Sequence, residues 1–194
     1  MNLGRLIARV TIGGLFIGHG TQKLFGWFDG PGIEGASKMM DKLELHPPRR
    51  NAMAAAVAET AGGALFALGA LTPAAGALIT STMTTAIRKV HGPKGPWNTQ
   101  GGYEYNLVLI AATAALVEAG PGSPSVDRAL GIEAKGTGWA LAALATGVAG
   151  SALAIEAAKR IREDELAEQP NQGGTGRFVR NAGVPEPEAV GTIA

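Results

Sequence analysis

The feature that most constrains this chain is a run of 36 residues, positions 52–87, whose only charged side chain is Glu59. As one helix the run would be about 54 Å long, nearly twice the ~30 Å hydrocarbon core of a bilayer, so it must be broken. Pro73 lies four residues after Gly69, and this order is typical of one helix ending and the next beginning. The run therefore predicts a hairpin of two apolar helices.

Five segments of the chain have the length and apolar character of membrane spans. The hairpin supplies two of them, and the others precede and follow it; the five are 6–28, 51–70, 73–90, 104–119 and 138–155. A soluble Ala-rich bundle would need a charged stripe on the exposed face of each helix, and two of these stretches, 52–87 and 138–155, have none. We therefore predict an all-α integral membrane helical bundle.

The composition excludes several functions. Seventeen Lys and Arg residues stand against sixteen Asp and Glu, so the formal net charge of +1 gives no basic field for nucleic acid. The chain has no Cys, which excludes thiol chemistry and cysteine ligation of a metal. Because His19 and His91 lack the short spacing of metal-ligand motifs, we expect no metal site.

Two further patterns concern packing and the C-terminus. Gly14 and Gly18 form a GxxxG pair, which predicts close helix contact on the first span. Residues 163–194 are polar, rich in Gly and Pro and without a period, so we expect a disordered tail.

The positive charges in the predicted loops indicate the orientation in the membrane. On one side the loops carry ten Lys and Arg residues: Lys38, Lys42, Arg49, Arg50, Arg88, Lys89, Lys94, Lys159, Arg160 and Arg162. On the other side they carry four: Arg5, Arg9, Arg128 and Lys135. The positive-inside rule then predicts a multi-pass membrane protein with the N-terminus outside and the tail in the cytoplasm.

Ionisable residues inside the predicted spans share one depth. His19 and Glu59 both lie roughly 12 to 14 Å below the cytoplasmic interface, at 1.5 Å per residue. Gln22 and Lys23 follow His19 at helical spacing, and Glu104 begins the fourth span on the same side. Antiparallel neighbours would let Glu59 meet His19 or Lys23. Two interpretations remain open: an ion pair that only fixes helix register, or a polar pocket that binds a small head group such as a quinone ring.

The first of these segments carries a recognisable motif, GHGTQKLFGWF at residues 18–28. Together with ETAGG at 59–63, LGALTP at 68–73 and GYEYNL at 102–107, it resembles the DoxX family of small bacterial membrane proteins. The resemblance covers about residues 3–127. It implies a four-helix DoxX-like membrane domain over 1–127, to which this chain adds a further transmembrane helix over 128–162 and the tail over 163–194.

Some DoxX members are subunits of quinone-reducing oxidoreductases, and one is linked to a complex that contains superoxide dismutase. The resemblance thus implies a membrane subunit of a redox system in the bacterial inner membrane. Because the chain has no Cys and no paired His suited to haem, we expect no redox centre of its own and a soluble redox partner protein that supplies electrons; a homo-oligomer is left open. The binding residues it implies are His19, Gln22, Lys23, Glu59 and Glu104, with quinone as the candidate cofactor. We expect His19 to donate to a quinone oxygen, Lys23 to supply positive charge and Glu59 to orient His19. The alternative is a non-catalytic scaffold, or a carrier of a small molecule or lipid.

Overall fold

The computed structural model describes residues 2–168, and all its regular structure is helical. Seven α-helices follow one another along the chain: α1 Leu3–Phe25, α2 Gly32–Lys42, α3 Pro48–Leu68, α4 Thr72–Ala86, α5 Glu104–Ala119, α6 Val126–Ala129 and α7 Thr137–Glu168. A π-helical turn, Ile87–His91, extends α4, and two short 3-10 turns lead on to α5. The five long helices overlap the five predicted apolar segments, and α7 extends beyond its segment.

The helices differ from the sequence prediction in two respects. The amphipathic helix α2 was not predicted, because its apolar positions, among them Ala36 and Met40, lie within a charged loop. Helix α7 continues to Glu168, past residue 163, where the tail was expected to begin. The remainder of that predicted tail, 169–194, lies outside the described residues.

The long helices pack in sequence order, with α1 against α3, α3 against α4, and α4 against both α5 and α7. A central core joins α1, α3, α4, α5 and α7, and includes Phe16, Phe66, Ile79 and Val117. A smaller core at one end joins α2, the start of α3 and the second half of α7, through Ala36, Leu45, Ala52 and Ala158. Helix α7 is therefore a wall of the same bundle.

Glycines allow α1 and α3 to approach closely, but they are not the predicted pair. A Cβ on Gly20 would lie 2.7 Å from the backbone oxygen of Ala56, and a Cβ on Gly63 would lie 2.6 Å from that of Gly13. A Cβ on Gly14 or Gly18 would meet nothing within 4 Å. The expectation that Gly14 and Gly18 make the contact is thus wrong, because the spacing identifies a small-residue face without showing which way it points.

The α3–α4 hairpin turns where the sequence predicts it. Gly69 ends α3 in the left-handed region with φ 62°, and Pro73 occupies the first turn of α4. The buried carboxylate of Asp127 accepts from Leu71 N at 2.7 Å, from Thr72 N at 2.9 Å and from the Thr72 hydroxyl at 2.7 Å. Because these donors begin a helix and have no intrahelical partner, Asp127 serves as the N-terminal cap of α4.

Two helices, α3 and α7, are long and apolar enough to cross a bilayer. Helices α4 and α5 are shorter, with 15 and 16 residues. The outer face of α7 exposes large apolar side chains, namely Trp139, Leu141, Val148 and Leu153. In water such a face would be costly, whereas lipid accommodates it.

Candidate functional site

A partly open cavity of about 520 Å³ lies between the helices, at the end where α1 and α4 finish and α3 and α5 begin. Its walls come from all of these helices, from α2 and from the middle of α7. Most of the wall is apolar, with contributions such as Leu15, Met39, Leu43, Ala55, Met83 and Ile155. A mostly apolar cavity of this size with a few polar groups is typical of small-molecule sites.

An ion pair between α1 and α3 forms the charged part of the wall. Lys23 Nζ lies 2.5 Å from Glu59 Oε2, and the two side chains are 16% and 10% exposed. The same ammonium group also lies 3.4 Å from the backbone oxygen of His19. Glu59 thus meets Lys23, one of the two partners expected from the shared depth, and the pair is neutral as a whole.

The imidazole of His19 lines the cavity one helical turn from Lys23 and is exposed. No hydrogen bond joins it to Glu59 in the part of the chain that the structure describes. The expectation that Glu59 orients His19 is therefore wrong, since the carboxylate is taken up by the lysine. His19 is free to turn toward a molecule in the cavity.

The other two predicted residues lie outside the cavity. Gln22 packs against Gly30 and its amide nitrogen lies 3.4 Å from the backbone oxygen of Phe28, so it faces the loop after α1. Glu104 accepts from the backbone nitrogen of Asn98 at 2.8 Å and closes the turn before α5. The structure thus brings His19, Lys23 and Glu59 together and places Gln22 and Glu104 in loop contacts.

The cavity also contains polar residues that the sequence analysis did not select. Lys89 and His91 enter it from the π-helical turn, and Tyr105 and Asn106 from the first turn of α5. His91 Nδ1 lies 2.7 Å from the backbone oxygen of Gly101, which fixes the ring. Ionisable residues within apolar spans are the clearest sequence signal for such a site, whereas Asn106 is a neutral amide at the start of an otherwise apolar helix.

No group of three or more His, Asp or Glu side chains suited to a metal ion occurs between residues 2 and 168. The cavity itself holds one carboxylate, Glu59, and that carboxylate is paired with Lys23.

The profile of the DoxX family matches residues 4–92. The chain carries a DoxX domain. The match contains α1 to α4 and the Lys23–Glu59 pair, and it ends before α5, so the part of the predicted resemblance beyond residue 92 is not covered. DoxX is a membrane family often associated with oxidative-stress and quinone-related systems. No curated protein and no solved structure matches this chain.

Proposed function

We propose that this DoxX protein is an integral membrane subunit of a redox system and that it binds a quinone or a similar lipid-soluble carrier in the cavity. The observation that carries the proposal is the cavity itself, a mostly apolar space of about 520 Å³ whose wall includes the Lys23–Glu59 pair, the His19 imidazole and the half-buried Lys89. A quinone has a flat apolar ring with oxygens at its edge, and such a cavity accommodates both parts.

The residues of the chain fit distinct roles toward such a ligand. A quinone supplies reversible uptake of electrons and protons when it is bound. The Lys23 ammonium group favours a ligand oxygen that carries negative charge, and Glu59 balances that lysine when no such oxygen is present. The ring nitrogens of His19 can donate or accept a hydrogen bond at the cavity wall. With no Cys in the chain, electrons would come from a soluble partner protein.

We place all five long helices across the bacterial inner membrane, with the N-terminus outside and the end of α7 in the cytoplasm. The excess of Lys and Arg at the cavity end of the bundle supports this orientation. The π-helical turn extends α4 to His91, which gives it the length of a span, whereas α5 with its 16 residues is the shortest of the five. The soluble partner would then approach the cavity from the cytoplasm.

The second candidate function is a non-catalytic scaffold or a carrier of lipid. The observation that favours it is the short Lys23–Glu59 distance, because a mutually satisfied pair can lock two helices without any ligand. The two functions differ in what happens when the polar atoms are removed but the packing is kept.

The test is menadione binding to the detergent-purified protein and to the double variant Lys23→Met with Glu59→Leu. We expect the wild-type chain to bind menadione and to retain quinone on extraction, and we expect the folded double variant to lose at least tenfold in affinity. Gln22→Leu, in a residue outside the cavity, is the control and should bind as wild type does. A folded double variant with wild-type binding would support the scaffold, as would the absence of binding by the wild-type protein.

A further inference from the structure

An amide on the α5 wall of the cavity lacks good hydrogen-bond partners. Asn106 is 5% exposed, and its amide nitrogen donates only to the thioether of Met83, at 3.3 Å. The thioether sulfur is a weak hydrogen-bond acceptor. The carboxamide oxygen of Asn106 accepts from no donor among residues 2–168. The oxygen is not among the fully buried side-chain atoms that lack a partner, so it retains some exposure. Asn106 therefore has unused capacity, and it lines the cavity.

Asn106 and the ion pair come from different pairs of helices. Lys23 and Glu59 belong to α1 and α3, which pack together, whereas Asn106 and Met83 belong to α5 and α4, which also pack together. All four side chains line the same cavity. A molecule inside it is thus offered polar groups from two separate pairs of helices.

The neighbouring polar groups on the α5 side are less suited to this role. His91 already uses Nδ1 on the backbone of Gly101. Lys89 has a long flexible stem and is only half-buried, so it can reach the cytoplasmic interface. Asn106 is held within the first turns of α5 by its burial, which gives its amide a fixed position.

We infer that Asn106 is the second recognition group of the cavity and that it selects ligands whose head carries two hydrogen-bonding oxygens on opposite edges. One oxygen lies toward the Lys23 ammonium group and the other accepts from the Asn106 amide. The inference rests on the proposed function and narrows it from lipid-soluble carriers in general to cyclic diones. A ligand with a single oxygen gains nothing from Asn106.

The experiment compares menadione, which has two opposed carbonyls, with tetralone, which has one carbonyl on a similar bicyclic frame. The wild-type protein should bind menadione about fivefold to tenfold more tightly, the value expected of one hydrogen bond. Asn106→Leu and Asn106→Ala should each reduce menadione affinity to the tetralone level and leave tetralone affinity unchanged. The Ala variant removes the amide without adding a charge or bulk, so it tests the role even if the Leu variant does not fold.

Thr113→Val is the matched control on the same face of α5. The Thr113 hydroxyl is also buried without a partner, but it does not line the cavity, so this variant should change neither affinity. Wild-type menadione affinity in a folded Asn106 variant would overturn the inference, as would an equal loss of both ligands. Failure of the wild-type protein to bind menadione would instead overturn the proposed function, and the two failures are therefore distinguishable.

Discussion

Lys23 and Glu59 form the contact on which the candidate site depends. Their 2.5 Å separation in a wall of low exposure means that each charge is compensated mainly by the other. Removing one partner leaves an uncompensated charge, and this costs about 3 kcal/mol in buried pairs. The pair therefore stabilises the contact between α1 and α3, and this contribution to stability can be measured.

We expect Glu59→Gln to lower the free energy of unfolding by about 3 kcal/mol and Glu59→Gln with Lys23→Met to recover part of that loss. A double-mutant cycle in detergent, followed by helicity during denaturant titration, should give a coupling of at least about 0.5 kcal/mol. Glu104→Gln, which alters a carboxylate that caps a turn, should cost under about 1 kcal/mol. Strict additivity of Glu59→Gln and Lys23→Met would show that the two groups do not interact.

The sequence predicts how deep the polar side chains lie in the membrane, but not the direction in which each one points. The distances of His19 and Glu59 from the ends of their spans depend only on the helical rise, so their shared depth was predictable. The direction of a side chain depends on how each helix is rotated against its neighbours. For this reason Lys23 was one of two candidate partners of Glu59, and Gln22, three residues from His19, was placed on the wrong side of α1.

The close contact between α1 and α3 depends on glycine residues. A Cβ on Gly20 would lie 2.7 Å from Ala56 O, which is closer than a methyl group can pack, and one on Gly14 would meet open space. We expect Gly20→Ala to destabilise by about 1 to 3 kcal/mol through overpacking. Gly14→Ala should be neutral or stabilising by about 0.5 kcal/mol, because alanine favours the helix.

The measurement is the thermal unfolding midpoint of the two single variants in the same detergent. A lower midpoint for Gly20→Ala, beside an unchanged or higher one for Gly14→Ala, would agree with the structure. If Gly14→Ala is the more destabilising variant, then the face with Gly14 and Gly18 is the packed one, as the GxxxG spacing alone suggested.

The ends of the two hairpin helices are predictable from the sequence, as is the depth of the polar side chains. Gly69 and Pro73 end α3 and begin α4 as expected, since both residues restrict the backbone locally. The cap of α4 was not predictable, because Asp127 lies 55 residues after Thr72 in the chain. Helix α2 was also missed, although its methionines complete the cavity wall, because a short amphipathic helix among charges has no distinct apolar run.

At the scale of the whole molecule, the proposed orientation places the cavity end and the C-terminal part of α7 in the cytoplasm. The chain has no native Cys, so single cysteines can report the side of the membrane without background. Thr99 lies in an exposed turn at the cavity end, and Ala129 is exposed at the opposite end, in α6. In intact cells an impermeant maleimide should label Ala129→Cys and should leave Thr99→Cys unlabelled until the membrane is opened. Labelling of Thr99→Cys alone would invert the orientation and place the cavity toward the outside, whereas labelling of both would show that the two ends are not separated by a bilayer.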